Sequence, residues 1–318
     1  MEIVLLEKDT LTVGDMDFSE FEKFGKISYY DTLSGEKLHK AIENAEIIFI
    51  NKTQFNKELF SKCKKLRYIG VLATGYNNVD LKTADELGIT VCNVPSYSTS
   101  SVAQLTMSFI LELSSNLSKY TKSTADGKWI ESKIFSYFPY KFSELEGKTL
   151  GIFGMGEIGQ AVAERAQAFK MNILATTRTK KAVKGVTFVE KEELFKKSDF
   201  LTIHCPLTPQ TEKLVNKETL SLMKPTAFLI NTSRGGVIDE IALANALKNN
   251  QISGAGLDVL TKEPMEKDCP LFNAPNCIIT PHVAWTTVEA RTRLLNVAVE
   301  NLKAFLNGKP QNTVNNVF

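Results

Sequence analysis

The sequence predicts an α/β fold with parallel sheets, in a chain that is long enough for two domains. Short apolar runs alternate with helical segments along most of the chain, a pattern typical of parallel strands covered by helices on both faces. A length of 318 residues allows two domains with substantial cores. The spacing of the glycines that follow Phe153 indicates a strand-to-helix turn of the kind found in doubly wound sheets.

The composition is that of an ordinary globular protein, with 43% hydrophobic and 23% charged residues. The balance of 38 basic and 36 acidic residues gives a net charge of +2, which offers no electrostatic basis for binding nucleic acid or a membrane surface. No stretch resembles a signal peptide or reaches transmembrane length, so we expect a cytoplasmic protein. The 5 cysteines lack C-x-x-C spacing, which predicts reduced thiols and no metal site.

The first hundred residues predict strands that alternate with helices. The strands are Ile3–Leu6, Ile27–Tyr30, Ile47–Ile50, Tyr68–Leu72 and Thr90–Asn93, with helices near Glu36–Glu43, Lys57–Cys63 and Asp80–Leu87. The hydroxyl-rich stretch Ser98–Ser101 then offers N-cap residues for a long apolar helix, Val102–Leu113. We expect the chain to cross from its first domain to its second here.

The stretch Thr149–Gly159 predicts a buried strand, a glycine turn and the start of a helix. In a G-x-G-x-x-G turn, the first glycine (Gly154) bends the chain, the second (Gly156) lets a pyrophosphate approach the backbone, and the third (Gly159) lets helix and strand pack closely. The free N–H groups and positive end of the helix then face the phosphates. Helical spacing of Ile158, Val162, Ala166 and Phe169, followed by a strand Asn172–Thr176, supports a dinucleotide site over an ordinary glycine-rich turn.

The remainder of the chain continues the same alternation. The predicted strands are Phe200–His204, Ala227–Asn231, Gly254–Asp258 and Ile278–Thr280, with helices Glu240–Lys248 and about Thr287–Leu306. Segments 231–236, 258–264 and 280–285 follow three of these strands, and loops at the carboxyl ends of such strands form the ligand crevice.

An aromatic segment, Trp129–Phe142, has neither helical nor strand periodicity. It contains Trp129, Phe135, Tyr137, Phe138, Tyr140 and Phe142. Packing in the core and a surface for a partner chain are the two interpretations, since aromatic segments are common in interfaces.

Taken together, the ordered motifs resemble the D-isomer-specific 2-hydroxyacid dehydrogenases over essentially the whole chain. The motifs are the G-x-G-x-x-G turn, His204–Thr208, Asn231–Gly235, Asp258 through Glu263-Pro264, and Pro281-His282. The resemblance implies two doubly wound domains: a discontinuous, flavodoxin-like substrate domain of residues 1–98 and 286–318, and an inserted Rossmann NAD(P)-binding domain of residues 99–285.

The resemblance further implies a catalytic set of Arg234, Glu263 and His282. These residue types suit hydride transfer to a ketone, because an imidazolium can protonate the developing alkoxide near neutral pH. A carboxylate partner favours the protonated ring, the role expected for Glu263. A guanidinium such as Arg234 can hold a substrate carboxylate through two donors while polarising the adjacent carbonyl. Taken singly, each of these residues is also compatible with an ordinary loop position.

The remaining site residues are also implied by the resemblance. Those expected to contact the cofactor are Gly154, Gly156, Glu157, Ile158, Gly159, Thr177, Arg178, His204, Pro206, Thr211, Thr232, Ser233 and Asp258. Those expected to contact the substrate are Ala73, Thr74, Gly75 and Trp285, together with Arg234 and His282. The stretch Ala73–Asn77 and Trp285 look most like the glycerate dehydrogenase and hydroxypyruvate/glyoxylate reductase branch. The alternative for the stretch after the first-domain strand is a plain strand-to-helix turn.

Thr177 departs from the pattern of NAD-specific sites. An acid at this position would accept hydrogen bonds from the ribose hydroxyls and repel a 2′-phosphate. Thr177 does neither, and it precedes Arg178, Thr179, Lys180 and Lys181. We therefore expect NADP(H) to be accepted and weakly favoured over NAD(H), with a solvated basic turn as the alternative.

The sequence thus predicts an NAD(P)-dependent reductase of hydroxypyruvate or glyoxylate that forms the D-hydroxy acid where the product is chiral. We expect a homodimer, with no nucleic-acid or membrane partner. A dinucleotide-sensing binding protein on the same fold and a phosphoglycerate dehydrogenase-like enzyme are the alternatives. A formate dehydrogenase is disfavoured, because that chemistry needs no protonation of the substrate.

Overall fold

The computed structural model describes residues 1–179 and 182–316. The chain forms two compact units. The first, here called the terminal unit, comprises Met1–Ser98 and the C-terminal stretch that begins at Trp285. The second, the central unit, is Thr99–Ala284.

The terminal unit is built on a parallel sheet, which has five strands in the described part of the chain. Its strands are β1 (Glu2–Leu5), β2 (Lys26–Tyr29), β3 (Ile47–Ile50), β4 (Tyr68–Val71) and β5 (Thr90–Cys92), and its first helices are α1 (Ser19–Glu22), α2 (Gly35–Ile42), α3 (Lys57–Lys62) and α4 (Leu81–Glu86). The strand order is β2-β1-β3-β4-β5, the order of flavodoxin-like sheets.

The central unit begins with two helices and contains a larger parallel sheet. Its helices are α5 (Thr99–Ser115), α6 (Leu117–Ala125), α7 (Glu157–Ala168), α8 (Lys191–Lys197), α9 (Lys217–Leu220) and α10 (Glu240–Lys248). Its strands are β6 (Thr149–Phe153), β7 (Asn172–Thr176), β8 (Val186–Phe188), β9 (Phe200–Ile203), β10 (Phe228–Asn231), β11 (Gly254–Leu257) and β12 (Cys277–Ile279). The strand order is β8-β7-β6-β9-β10-β11-β12. The strands follow one another outward from β6 on one side up to β8 and on the other side from β9 to β12, as in the Rossmann fold.

The last helix, α11 (Val288–Leu306), belongs to the terminal unit. Thr287 caps it by accepting a hydrogen bond from the backbone N–H of Ala290. Its apolar face, including Leu294 and Leu302, packs in one core cluster with residues of β1, β3 and β4. The opposite face of the sheet packs against α2, α3 and α4. The predicted α/β class, with parallel sheets covered on both faces, is confirmed.

The predicted strands lie within one residue of the observed bounds, because buried parallel strands are nearly continuous apolar runs. The sequence interpretation did not include the short elements α1, α6, β8, α8 and α9. It was also wrong at two helix ends. Thr99–Ser101 form the first turn of α5 instead of preceding it, and Phe169, outside α7, is 42% exposed instead of joining the apolar stripe.

The aromatic segment Trp129–Phe142 lies on the surface of the central unit. Trp129, Phe135, Phe138 and Phe142 are 52%, 91%, 73% and 71% exposed, so core packing is wrong for these side chains. Tyr140 is half-buried, and its ring meets that of Tyr120 edge to face at 5.2 Å. Four aromatic side chains of the segment are therefore mostly unburied within their own chain.

Two further expectations concern membrane spans and cysteines. Among the described residues, no helix is both long and apolar enough to cross a bilayer. All 5 cysteines of the sequence are free thiols in the structure.

Candidate active site

The glycine turn joins β6 to α7 at the reversal point of the central sheet. Gly154 has φ +102°, and a Cβ there would lie 2.5 Å from the carbonyl oxygen of His204. A Cβ on Gly159 would lie 2.1 Å from the carbonyl oxygen of Gly154, whereas Gly156 has open space around it. Two glycines are thus required by close backbone contacts, and the third leaves room at a helix N-terminus. The turn therefore fits a dinucleotide pyrophosphate.

At this N-terminus, Glu157 is the first residue of α7 and is exposed, while Ile158 is half-buried against the apolar core below the turn. Their backbone N–H groups belong to the first turn of the helix, where no intrahelical acceptor is available. Both positions are consistent with the predicted contact to phosphate through the backbone.

The second strand of the nucleotide unit, β7, ends one residue before Thr177. Thr177 is half-buried, and Arg178 and Thr179 are exposed. Lys180 and Lys181, which were part of the predicted basic turn, lie outside the described residues. At the position where NAD-specific sites carry an acid, the side chain is therefore a short neutral hydroxyl followed by an exposed cation.

His204 follows β9 beside the glycine turn. Its Nε2 lies 2.8 Å from Oγ1 of Thr202, and its enclosed Nδ1 has no hydrogen-bond partner among the described residues. Burial lowers the pKa of His204 to about 3, so the ring is neutral at physiological pH. The loop beyond it is closed by Thr211, whose hydroxyl donates to the carbonyl of Pro206 at 2.6 Å. The Thr211 hydroxyl thus closes the loop that follows His204.

The Arg234 loop is shaped by buried Asn231, the last residue of β10. Its Oδ1 accepts from the backbone N–H (3.0 Å) and hydroxyl (2.8 Å) of Ser233, and its Nδ2 donates to the carbonyl of Arg234 (2.9 Å). Thr232 points into the core, where its hydroxyl lies 3.1 Å from that of Thr106. Arg234 is exposed, and its Nη1 donates to the carbonyl of Ser233 at 2.7 Å. The loop fixes the start of the side chain and leaves the rest of the guanidinium accessible.

Glu263 and His282, from different loops, meet directly. Nδ1 of His282 lies 2.7 Å from Oε2 of Glu263, and the two side chains are 26% and 37% exposed, respectively. Oε1 of Glu263 accepts from the backbone N–H of Leu260 at 2.9 Å, which fixes the carboxylate. Because Nδ1 faces the carboxylate, Nε2 is the nitrogen left to exchange a proton with another molecule. This is the arrangement of an oriented acid/base.

Asp258 holds the loop that carries His282. Its carboxylate is 1% exposed and accepts hydrogen bonds from the Thr280 hydroxyl (2.5 Å) and the backbone N–H groups of Val283 (2.8 Å) and Ala284 (2.9 Å). Its carbonyl accepts from the backbone N–H of His282, which has φ +54°. Burial raises the pKa of Asp258. The sequence interpretation assigned Asp258 to the cofactor and missed this bracing of the histidine loop.

The predicted substrate loop lies in the terminal unit, after β4. The hydroxyl of Thr74 donates to the carbonyl of Val94 at 2.9 Å, and the Asn93 side chain donates to the carbonyl of Thr74 at 2.8 Å. The backbone N–H of Val94 donates to the carbonyl of Ala73 at 3.0 Å. The loop through Gly75 is thereby fixed to the residues that follow β5, with Thr74 itself exposed.

Trp285 begins the C-terminal stretch of the terminal unit and packs against its core. Its ring meets that of Tyr97 edge to face, with centroids 6.5 Å apart. The residue is half-buried, so this side chain has a structural contact as well as an accessible part.

Within residues 1–179 and 182–316, no group of three or more His, Cys, Asp or Glu side chains is arranged to hold a metal ion. The central unit instead combines a nucleotide turn, a fixed His–Glu pair and an accessible arginine on neighbouring strand ends. These features define a dinucleotide-dependent dehydrogenase.

Comparison with known proteins gives the family. Residues 107–284 match the NAD binding domain of the D-isomer specific 2-hydroxyacid dehydrogenases. The chain is 42% identical to a hydroxypyruvate reductase of Blautia hydrogenotrophica, over 99% of this chain and 100% of that protein. It is 38% identical to a glycerate dehydrogenase of Methylorubrum extorquens, over 98% of each. A solved acyclic imino acid reductase in complex with NADPH and D-Arg has a TM-score of 0.87 and 32% identity, and the match covers 99% of this chain and 100% of that one.

The chain therefore belongs to the D-isomer specific 2-hydroxyacid dehydrogenase family. The resemblance inferred from the ordered motifs is confirmed, and the two curated relatives carry the names of the branch expected from the sequence. The protein is an oxidoreductase that binds a nicotinamide dinucleotide, and the alternative of a purely sensing protein is not favoured.

Proposed function

We propose that the protein reduces hydroxypyruvate or glyoxylate to the 2-hydroxy acid, the D-isomer where the product is chiral, with His282 as the proton donor. The observation that carries this proposal is the 2.7 Å contact between Nδ1 of His282 and Oε2 of Glu263. The names of the relatives support the substrate class. Five free cysteines fit a reducing compartment, and we assign the reaction to the cytoplasm.

A bound nicotinamide dinucleotide supplies the hydride. The chain itself must supply a proton, since a reduced carbonyl carbon leaves a negatively charged oxygen. His282 donates this proton from Nε2, because Nδ1 is directed to the carboxylate of Glu263. The carboxylate orients the ring so that Nε2 is free to transfer the proton.

Arg234 binds the carboxylate of the 2-oxo acid in this proposal. Its guanidinium carries five N–H donors in a planar fork, and one nitrogen, Nη1, is engaged with the carbonyl of Ser233. The remaining donors suit a bidentate contact to a carboxylate and a polarising contact to the neighbouring carbonyl oxygen.

We further propose that residues 1–98 and 286–318 form the substrate domain and residues 99–285 the NAD(P)-binding domain, a division that differs from the two compact units only in that Trp285 belongs to the terminal unit. Ala73, Thr74 and Gly75 would bind the substrate carboxylate through backbone N–H groups, and Trp285 would limit the substrate side chain. The hydrogen bonds accepted by the carbonyls of Ala73 and Thr74 support this role, because they attach the loop to the residues that follow β5.

Turnover of a panel of 2-oxo acids tests the proposed function. Hydroxypyruvate, glyoxylate, pyruvate and 3-phosphohydroxypyruvate are assayed with NADH and with NADPH. We expect the highest kcat/KM for hydroxypyruvate or glyoxylate. A preference for the phosphorylated acid favours the phosphoglycerate dehydrogenase alternative, and no turnover of any acid contradicts the proposal.

We also propose that NADPH is accepted and weakly favoured. An exposed Arg178 can pair with a 2′-phosphate, and the neutral Thr177 does not repel it. Thr177→Asp should raise the kcat/KM ratio of NADH over NADPH by about tenfold, which corresponds to about 1.4 kcal/mol. A strong NADH preference in the parent enzyme contradicts this proposal, and Thr179→Asp serves as the control for added charge in the same turn.

Finally, we propose a homodimer in which the aromatic segment Trp129–Phe142 contacts the second copy. Four of its aromatic side chains are more than half exposed, a composition typical of interface centres. Size-exclusion chromatography with light scattering should give twice the 35.4 kDa mass of the chain. Phe135→Asp with Phe138→Asp should give monomers, whereas a monomeric parent at micromolar concentration contradicts the proposal.

A further inference from the structure

We propose that Glu240 is a positioning residue that holds Glu263, and through it His282, in the geometry for proton transfer. This inference rests on the proposed function, because it concerns the same acid/base pair. Glu240 is the first residue of α10 and was assigned no role from the sequence beyond its place in a helix.

The contact that carries the inference joins the first residue of α10 to the loop that follows β11. Oε1 of Glu240 accepts a hydrogen bond from the backbone N–H of Thr261 at 2.6 Å. The preceding backbone N–H, of Leu260, donates to Oε1 of Glu263 at 2.9 Å. Two consecutive backbone donors are thus held by two glutamates. Glu240 attaches the turn to α10, and Glu263 connects the turn to Nδ1 of His282.

Gly235 supports the same turn from another side. A Cβ at Gly235 would lie 1.9 Å from the carbonyl carbon of Leu260 and 2.3 Å from the nitrogen of Thr261. The Leu260–Thr261 peptide therefore rests directly on the backbone that follows Arg234. This contact holds the loop that carries Arg234 next to the turn that carries Glu263. The Glu240 hydrogen bond fixes the orientation of the peptide.

The N-cap of α10 is supplied by the residue before Glu240. Asp239 is the N-cap of α10, and its side chain accepts from the backbone N–H of Ala242 at 3.1 Å. The helix start therefore already has its cap. The Glu240 carboxylate is directed to Thr261 instead, where it accepts a solvent-exposed, charge-assisted hydrogen bond.

The test compares Glu240→Ala, which removes the acceptor, with Glu240→Gln, which keeps an amide oxygen that can accept from Thr261. Glu218→Ala is the matched control, because Glu218 is an exposed acid in the first turn of α9. Glu240→Met, which keeps most of the side-chain volume, replaces the alanine variant if that variant does not fold. Each protein is examined by steady-state kinetics, dinucleotide titration and one-dimensional proton NMR.

The NMR readout is the downfield resonance of the His282 Nδ1–H proton bonded to Glu263. The chain has 3 histidines, so comparison with His282→Ala assigns it. We expect Glu240→Ala to lose this resonance and to lower kcat about 10- to 100-fold, as misplacement by about 1 Å can do. The dinucleotide Kd should change by less than about threefold, since the glycine turn is untouched. Glu240→Gln and Glu218→Ala should retain the resonance and kcat within about threefold.

Parent-like kcat and resonance in folded Glu240→Ala overturn the inference. Equal losses in Glu240→Ala and Glu240→Gln also overturn it, because the acceptor for Thr261 is then not the cause. Failure of the proposed function is seen separately, as normal turnover in His282→Ala, and the NMR comparison reports on the Glu263 contact whatever the reaction.

Discussion

Nδ1 of His282 lies 2.7 Å from Oε2 of Glu263, although the two residues are 19 positions apart in the chain. The contact exists because both residues sit on loops at the carboxyl ends of neighbouring parallel strands, β11 and β12. Each partner has its own support: Leu260 donates to Glu263, and Asp258 holds the loop of His282. The geometry of the pair is therefore set by backbone hydrogen bonds on both sides.

His282→Ala should lower kcat/KM for reduction by about 10²- to 10⁴-fold, the usual contribution of a general acid. Arg234→Ala should lower it by about 10²- to 10³-fold, as for loss of a charge-stabilising donor. The dinucleotide Kd, measured by titration, should remain nearly unchanged in both. His39→Ala, on α2 of the terminal unit, is the control. Near-normal turnover in either variant excludes the role assigned to that residue.

Asp258→Asn should impair both stability and catalysis. The asparagine side chain presents only one acceptor oxygen to donors from Thr280, Val283 and Ala284, so at least one buried donor loses its partner. We expect a loss of about 1–3 kcal/mol in the free energy of unfolding and a lower kcat. Urea denaturation and steady-state assays measure both, with the exposed Asp268→Asn as the control. Unchanged values in Asp258→Asn would show that the carboxylate does not brace the loop.

Gly156→Ala and Gly159→Ala should separate binding from folding. A Cβ at Gly156 has open space, so the variant should keep the parent Tm, while its dinucleotide Kd rises at least about tenfold because the methyl group fills the approach to the backbone. A Cβ at Gly159 meets the carbonyl oxygen of Gly154 at 2.1 Å, which should destabilise the fold by about 1–3 kcal/mol. Thermal scans and titration test this pair, and an equal fall in Tm for both would refute the distinction.

His204 should make the protein less stable in acid. Its pKa is about 3 in the folded protein, against an ordinary value of 6.5, so the unfolded chain binds the additional proton between these values. The contribution of neutral His204 to the free energy of unfolding is complete above pH 6.5. It is lost as the pH falls towards 3, by up to about 1.4 kcal/mol per pH unit. The urea midpoint of His204→Asn should fall less steeply with pH than that of the parent. Identical slopes, with His39→Asn as the control, contradict the prediction.

The strands could be predicted from the sequence because each is a short apolar run. The glycine turn could be predicted from its spacing, and the other site motifs because in their order they resemble a known family. The short elements β8, α8 and α9 could not, because three to seven residues carry too little periodicity. The exposure of Phe135 could not be inferred either, since an aromatic side chain suits a core and an interface equally well.

The supports of the site were also beyond the sequence. Glu240 and Thr261 meet only because the loop after β11 passes the first residue of α10, and no local sequence pattern indicates that path. Asp258 was recognised as a site residue, but its buried contacts to Thr280 and Ala284 depend on the path of a later loop. One local signal was available: a glycine directly after Arg234 could have suggested that another backbone segment passes close to Gly235.

The split of the terminal unit across both ends of the chain has a consequence for biosynthesis. The ribosome delivers β1 to β5 first, but the part of the apolar face that packs against α11 stays uncovered until that last helix emerges. The continuous central unit can complete its sheet earlier, in the interval between. During translation the nascent chain therefore exposes apolar sheet surface that a holding chaperone would recognise. Truncation before Val288 would leave this surface permanently exposed and the protein prone to aggregation.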